Sequence, residues 1–262
     1  ILLSDNAKLI HIDPVPGAVG KSEPPDVGII ANCAEGIRSL IEHIQNGTSE
    51  NIELVNTRRS NVRLASAERR LNFDREKQPI WDNLPMIPER MMSEIANSLP
   101  DNAIVVDDSV SNRSALRKYI NGTHSGDLIG VRGQSIGGGI GATMGAQCAN
   151  PGRPVFGIIG DGSAMMTIQG LWTAVNDNIP CVFVICNNGM YRVLKVNYNI
   201  YQKDILKEPE PAGKNLLYSD FATPFDMAAI AKSMGMEGYR VLDPSDIRPA
   251  IERILGSGKP GL

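Results

Sequence analysis

Two polar clusters follow two apolar runs at a spacing that could hold a metal ion and a phosphate group. A Gly-Asp-Gly-Ser cluster containing Asp161 follows the apolar run at 154–159, and an Asn-Asn-Gly cluster containing Asn188 follows the run at 181–186. The residues between them, 165–178, have the apolar spacing of a helix. Strand, helix and strand make a parallel crossover, so the carboxylate and the carboxamide are expected at one carboxyl edge of a sheet. Hard oxygen ligands beside glycines and a helix N-terminus suit Mg²⁺ carrying a diphosphate.

This pair of clusters resembles the diphosphate-binding motif of the thiamine diphosphate enzymes. In that family the Asp of the first cluster, the second Asn and a main-chain carbonyl two residues further on ligate the metal. The resemblance therefore implies Asp161, Asn188 and the carbonyl of Met190 as ligands of Mg²⁺, with thiamine diphosphate and water completing the octahedron. Either cluster alone would be as typical of a simple Asp-Gly or Asn-Gly turn, and only their combination favours a metal site.

The resemblance also implies which residues meet the diphosphate. The small or hydroxyl-bearing residues implied to bind the cofactor are Ser109, Ser111, Gly160, Gly162, Ser163 and Ala164, together with Asn188 and Met190. Ser109 and Ser111 lie between an expected strand and an expected helix, so capping of that helix is an equally good interpretation. Of the two, Ser111 is the better candidate.

Three further positions are implied to shape the reaction site. Ile136 stands where the family carries a bulky aliphatic residue that bends the cofactor, although without the resemblance it would be interpreted as a core residue. The main-chain carbonyl of Gln134 stands where the aminopyrimidine donates a hydrogen bond, and many members carry Gly there. Leu194 is implied to line the substrate pocket. Pyruvate decarboxylases carry Glu at that position and benzoylformate decarboxylases an aliphatic residue, so the benzoylformate decarboxylase branch is the more similar.

The function implied is non-oxidative decarboxylation of a 2-keto acid with thiamine diphosphate and Mg²⁺. A carboligase similar to acetolactate synthase is the alternative within the family, and a non-catalytic module that binds a nucleotide or diphosphate is the alternative outside it. The family activates its cofactor with a glutamate from a pyrimidine-binding domain, and nothing in this chain resembles that domain. We therefore expect the domain upstream of Ile1 or on another chain, an inactive fragment, and a homo-oligomer, dimer or tetramer, in the longer protein.

A second cofactor pattern is present at 137–142, where Gly-Gly-Gly-Ile-Gly-Ala fits the G-x-G-x-x-A fingerprint of dinucleotide-binding folds. Asp161 lies about twenty residues further on, as that fingerprint requires. The fingerprint gives no role to Asn188, however. Close packing of a glycine-rich helix on a sheet or a partner helix is the simpler interpretation.

Composition narrows the class of protein. The chain has 262 residues and a net charge of −3, which argues against a nucleic-acid partner. No apolar run reaches membrane-spanning length, and no signal peptide is recognisable. Four cysteines lie in apolar segments without metal-type spacing, so we expect buried thiols in a reducing, cytoplasmic compartment.

The motif must be positioned by an α/β fold. Alternating apolar strands and amphipathic helices predict a doubly wound, mostly parallel sheet with helices on both faces. The resemblance implies that a partial α/β central domain precedes it. We expect the end of that central domain at 1–45, a polar linker at 46–79 and the diphosphate-binding domain at 80–262. Within the last domain a strand is expected at 238–242 and a long polar loop at 199–222.

Overall fold

The chain folds as two compact units, Ile1–Arg75 and Glu76–Leu262. The computed structural model describes residues 6–47, 52–120, 122, 124–131, 135–208 and 216–262. The domain boundaries expected from the sequence, including the linker at 46–79, stay predictions.

The described residues of the first unit contain two parallel strands, one helix and most of a second helix, which ends at Lys77, two residues beyond Arg75. Strands β1 (Ile10–Asp13) and β2 (Val27–Ile30) pair in parallel with Ile10 opposite Val27. Helix α1 (Cys33–Gly47) has one apolar face, and Gly36 brings its first turn close to Ile12 of β1. Helix α2 (Ile52–Lys77) lies in the segment expected to be a linker, and no buried residue is found along its described length.

The second unit alternates strands and helices. Its strands are β3 (Ile104–Asp108), β4 (Leu128–Gly130), β5 (Val155–Gly160) and β6 (Val182–Cys186). Its α-helices are α3 (Pro88–Ala96), α4 (Arg113–Tyr119), α5 (Gly139–Ala149), α6 (Asp161–Met165), α7 (Gly170–Asn176), α8 (Arg192–Ile200), α9 (Met227–Ser233) and α10 (Ile247–Ser257).

The order of the strands creates a crevice at one edge of the sheet. In the described part of this unit four strands form one parallel sheet, in the order β4-β3-β5-β6. From β3 the chain moves outward to β4 and then crosses back over β3 to reach β5, so the winding direction reverses between β3 and β5. Ligands of doubly wound sheets bind at such a reversal, outside the carboxyl ends of the strands.

Both faces of this sheet are covered by helices, which confirms the predicted fold class. On one face Phe156 and Ile158 of β5 belong to the buried cluster that includes residues from α3, α4 and α10. On the other face Ile159 packs in a cluster with residues from α5, α7 and α9. Alternate strand residues therefore point to opposite helix layers, as the period of two requires.

Three expected elements differ from the structure. The single helix expected at 165–178 is two helices, α6 and α7, separated by turns in which Thr167 donates its hydroxyl hydrogen to the carbonyl of Gly137. Apolar periodicity does not distinguish one helix from two helices that share a buried face. The loop expected at 199–222 is helical at its start, because α8 continues into a π-helical turn at Tyr201–Ile205.

The strand expected at 238–242 does not form as an extended ladder. Its pairing is one isolated parallel bridge between Glu237 and Gly261, supported by a hydrogen bond from the Tyr239 amide to the Leu262 carbonyl. Gly261 also bridges to Val182 of β6. Apolar and polar side chains do alternate at 239–241. One bridge and one further backbone hydrogen bond are too few, however, to form an extended strand.

Close packing explains the run of glycines before α5. A Cβ on Gly137 would lie 2.7 Å from the Cβ of Met166, and one on Gly138 would lie 2.7 Å from a methyl carbon of Val131. A Cβ on Gly139 would lie 2.7 Å from the Cβ of Asp108. Helix α5 can therefore approach the sheet only because these positions lack side chains.

We predict that Gly139→Ala destabilises the protein while Gly141→Ala does not. The added methyl at position 139 has no space, and overpacking costs about 1–3 kcal/mol. Gly141 lies in the same helix with nothing within 4 Å of its would-be Cβ, so alanine there should add up to about 1 kcal/mol through helix propensity. Urea unfolding measures both changes, and equal stabilities for the two variants would contradict the packing account.

Candidate active site

A cavity of about 230 Å³ opens at the reversal between β3 and β5. It is lined by the ends of three strands, by the starts of α6 and α8, and by Ile136. The sequence-predicted residues that line it are Ser109, Ser111, Ile136, Gly160, Asp161, Gly162, Ser163, Asn188, Met190 and Leu194. The fold thus brings together residues from segments that are far apart in the sequence.

The Asp161 carboxylate is held by three backbone amides. Its Oδ2 accepts hydrogen bonds from the amides of Asn188 (3.1 Å) and Gly189 (2.7 Å), and its Oδ1 accepts one from Gly162 (2.8 Å). Strand register makes this possible, because Gly160 pairs with Cys186 and both strands end at the same level. Two amides occupy Oδ2, whereas Oδ1 keeps a free lone pair that a cation could use.

Burial also affects the charge of this carboxylate. Only 3% of the Asp161 surface is exposed. Burial raises the pKa of the Asp161 carboxyl above its ordinary value, against the lowering effect of the amides of Gly162, Gly189 and Asn188. A cation bound at this carboxylate would favour the ionised form.

Asn188 and Met190 line the same cavity as Asp161 and carry two more candidate oxygen ligands. The Asn188 Oδ1 accepts the amide of Met190 at 3.0 Å and keeps one lone pair. Met190 also pairs with Asp220 in an antiparallel bridge. The hydrogen bonds of this bridge are made by the residues on either side of the pair, from the Tyr191 amide and from the Phe221 amide. In such a pair the residue's own N–H and C=O point away from the opposite strand. The Met190 carbonyl therefore points to the side on which its amide meets Asn188.

The segment at 219–221 anchors this loop and was missed by the sequence analysis. The Tyr191 amide donates to the Ser219 carbonyl (2.7 Å), and the Phe221 amide donates to the Gly189 carbonyl (2.8 Å). The rings of Tyr191 and Phe221 meet edge to face, with centroids 4.9 Å apart. Only glycine fits at position 162, because a Cβ there would lie 2.5 Å from the Tyr191 ring. No motif signals this anchor, since it depends on contacts across a long polar insertion.

Two of the predicted phosphate-contacting hydroxyls are engaged within the protein. Ser163 donates its hydroxyl hydrogen to the Asp108 carboxylate, and its oxygen accepts the amide of Gly137 at 2.7 Å. Ser109 donates its hydroxyl hydrogen to Asp107 at 2.7 Å. Both hydroxyls are therefore used in hydrogen bonds that hold the ends of the strands. Backbone atoms of Ser109 and Ser163 are what these residues can offer to a ligand in the cavity.

Ser111 differs from those two serines. It is half-buried on the cavity wall, and its hydroxyl has no hydrogen-bond partner among the residues that the structure describes. Its neighbour Val110 has φ of 51°, a left-handed conformation that a β-branched residue rarely adopts. Strain at the cavity wall is a feature that sequence reasoning did not find. Ala164 has a fully buried side chain and can offer only backbone, and Gln134 lies outside the described residues.

Two apolar side chains border the cavity without being buried. Ile136 is 43% exposed and Leu194, in the first turns of α8, is 50% exposed. Neither side chain is buried in the core of this chain. The alternative interpretation of Ile136 as a simple core residue is therefore not supported. Both are free to contact a ligand or a partner surface.

The glycine fingerprint at 137–142 does not present its amides to a ligand. The Gly137 amide donates to Ser163, and the Gly139 amide donates to the Asp108 Oδ2 at 2.9 Å. The acidic residue of that fingerprint, Asp161, accepts the amides of Asn188 and Gly189, from a loop to which the fingerprint gives no role. These contacts favour the packing interpretation over a dinucleotide site.

Comparison with known proteins identifies the family. Residues 111–262 match the family described as thiamine pyrophosphate enzyme, C-terminal TPP binding domain. The chain belongs to the thiamine pyrophosphate enzyme family. It is 32% identical over 178 residues to benzoylformate decarboxylase of Pseudomonas aeruginosa, covering 68% of this chain and 32% of that protein. It is 26% identical over 265 residues to chloroplastic acetolactate synthase 1 of Oryza sativa subsp. japonica, covering 99% of this chain and 39% of the relative.

A solved structure is similar in fold as well. The thiamine diphosphate-dependent 4-hydroxybenzoylformate decarboxylase of Rhodococcus jostii RHA1 superposes with a TM-score of 0.60 at 30% identity, covering 69% of this chain and 32% of that one. The chain thus spans between about a third and two fifths of the length of these relatives. No helix in the described ranges is long and apolar enough to cross a membrane.

The oxygen donors fit the metal that a thiamine pyrophosphate enzyme would bind with its cofactor. Across the described part of the chain no cluster of three or more His, Cys, Asp and Glu side chains could hold a metal ion. One carboxylate, one carboxamide and one carbonyl are a sparse set for Mg²⁺, which commonly takes phosphate oxygens as further ligands. The site is therefore suited to a metal that arrives with a diphosphate.

The cysteines divide into two classes, which corrects the expectation that all four are buried. Cys33 and Cys148 are exposed, whereas Cys181 and Cys186 are buried. Burial raises the pKa of both Cys181 and Cys186 to about 12. Cys186 lines the cavity as a neutral thiol and is unsuited to act as a nucleophile there.

We predict that two of the four thiols react rapidly with Ellman's reagent at pH 8 and that the other two react only after unfolding. The buried thiols stay protonated because their folded pKa of about 12 lies above the ordinary 9.0. Each therefore contributes stability below pH 9 that is lost as the pH rises toward 12. A double variant, Cys33→Ser with Cys148→Ser, should lose the rapid phase, and a rapid phase of three or four thiols would show the burial to be wrong.

Proposed function

We propose that this chain is the diphosphate-binding part of an enzyme that decarboxylates an aromatic 2-keto acid of the benzoylformate type, using thiamine diphosphate and Mg²⁺. The observation that carries the proposal is the convergence of Asp161, Asn188 and the Met190 carbonyl at the sheet reversal. Family membership supports the cofactor, and similarity to two benzoylformate-type decarboxylases supports the reaction.

The metal would be held by the oxygens that keep free lone pairs. These are Oδ1 of Asp161, Oδ1 of Asn188 and the carbonyl oxygen of Met190. The diphosphate would lie beside Ser111 and the amides that follow Gly162 near the start of α6, whereas the Gly162 amide itself donates to Asp161. Gly160 and Gly162 keep this approach open, and Ser163 and Ala164 would contribute through backbone.

The apolar residues would act on the reacting end of the cofactor. Thiamine diphosphate supplies stabilisation of the negative charge that develops when a 2-keto acid loses carbon dioxide. Ile136 would support the bent cofactor, and the carbonyl of Gln134 would orient its aminopyrimidine. Leu194 would form an apolar wall against the substrate and exclude water from it.

We further propose that the active protein is a homo-oligomer containing a pyrimidine-binding domain. Ile136 and Leu194, which line the cavity, are 43% and 50% exposed, although both are large and apolar. Apolar surface on this scale at a cavity is typical of a face that another domain or subunit covers. The relatives are also about two and a half to three times longer than the matching part, which leaves room for such a domain.

An acetolactate-type carboligation is the second candidate function. It is favoured by the match to rice acetolactate synthase 1, which extends over 99% of this chain, beyond the 68% matched by the decarboxylase. The two reactions share the metal and diphosphate site and differ in what takes up the product of decarboxylation. A non-catalytic diphosphate-binding module would use the same site without turnover.

We predict that the polypeptide extended with its pyrimidine-binding domain converts benzoylformate to benzaldehyde and carbon dioxide with thiamine diphosphate and Mg²⁺. Asp161→Asn should lower the rate at least about 100-fold, because the metal loses its charged ligand. Asp177→Asn, a change of the same kind at an exposed position outside the cavity, should keep full activity.

Products separate the candidates. Acetolactate from pyruvate, without benzaldehyde from benzoylformate, would favour the carboligase. Cofactor binding without turnover of either acid would favour the module. Full turnover by these 262 residues alone would show that no further domain is needed.

A further inference from the structure

Few of the described residues that line the cavity are charged. Of the described residues that line it, Asp161 is the only acidic one and Arg192 the only basic one. The two buried acids beneath the cavity, Asp107 and Asp108, face other partners within the protein. Among the residues that the structure describes, an anion that enters therefore meets a single cationic side chain.

Arg192 lies at a position where the described part of the protein does not stabilise its positive charge. It is the first residue of α8, where the helix dipole is unfavourable to positive charge. Its side chain makes no hydrogen bond or ion pair with any residue in the described ranges. Lys195, less than one turn further along α8, contrasts with it, because its ammonium group is bound to Asp220 at 2.6 Å.

We propose that Arg192 binds the phosphate oxygens of the bound diphosphate and so completes its neutralisation. This inference rests on the proposed function, since it concerns the same cofactor. A metal at Asp161 is already partly neutralised by that carboxylate, so the diphosphate keeps a net negative charge. A guanidinium at the cavity rim meets that charge with two parallel N–H donors, a geometry that phosphate matches well.

The same placement explains why Arg192 is exposed and has no side-chain partner among the described residues. A carboxylate partner from the protein would compete with the incoming anion. Arg192 breaks no hydrogen bond to a described residue when it binds the diphosphate, and it gains a charge-assisted bond. The carboxylate of a 2-keto acid is the other anion that could use it, and the experiment distinguishes the two.

Calorimetry with Mg²⁺ and inorganic diphosphate tests the inference, because this probe needs neither the pyrimidine-binding domain nor turnover. Arg192→Gln should weaken binding about tenfold, and Arg192→Lys should keep part of the affinity. The tenfold difference should shrink at 1 M salt, where charges in contact with solvent are screened. Arg117→Gln removes the same charge from the exposed last turn of α4 and should have no effect.

Each remaining outcome has a definite meaning. Unchanged affinity in Arg192→Gln, or an equal loss in Arg117→Gln, overturns the inference. So does a variant whose diphosphate affinity is normal while its KM for the 2-keto acid rises. Asp161→Asn is measured in parallel. If the wild-type protein does not bind Mg²⁺ and diphosphate at all, the proposed function is wrong. If binding is lost in Asp161→Asn but not in Arg192→Gln, the proposed function stands and only the role of Arg192 is rejected. Thermal melting of ligand-free Arg192→Gln should show no loss of stability, because the cation opposes the helix dipole.

Discussion

The Asp161 carboxylate joins the ends of two neighbouring strands, because it follows β5 and accepts the amides of Asn188 and Gly189 after β6. Everything else in the cavity depends on this link. It holds the Asn-Asn-Gly loop next to the start of α6, and it leaves Oδ1 of Asp161 with a free lone pair. Burial of an ionised carboxylate is unfavourable without such donors, so the three amides hold the residue in place until a cation reaches it.

Two levels of packing support that link. The reversal of winding between β3 and β5 places the serines after β3 opposite Asp161, as expected of a doubly wound sheet. Glycines then let the helices approach: Gly139 against Asp108, and Gly162 beneath the ring of Tyr191. The buried Asp108 ties α5 and α6 to the sheet through Gly139 and Ser163. The site is thus braced by buried polar contacts and leaves ligand-facing atoms on one side.

Much of this arrangement could be predicted from local patterns. The apolar runs at 154–159 and 181–186 identify strands, and the polar residues after them must share an edge of the sheet. What could not be predicted depends on distant contacts. The hydroxyl of Ser163 is engaged by a carboxylate 55 positions away, and Met190 is oriented by its pairing with Asp220. Neither contact has a periodicity or a motif, and the left-handed conformation of Val110 has none either.

The central claim is that Asp161, Asn188 and the Met190 carbonyl hold one metal ion together with the diphosphate. Anomalous diffraction from crystals grown with Mn²⁺ and thiamine diphosphate tests it most directly, because Mn²⁺ accepts the same oxygen ligands and can be located by its own scattering. The account predicts one peak about 2.0–2.3 Å from each of the three oxygens, with diphosphate oxygens also bound to it. Ordered cofactor with the peak at other residues, or with no peak at this site, would contradict it.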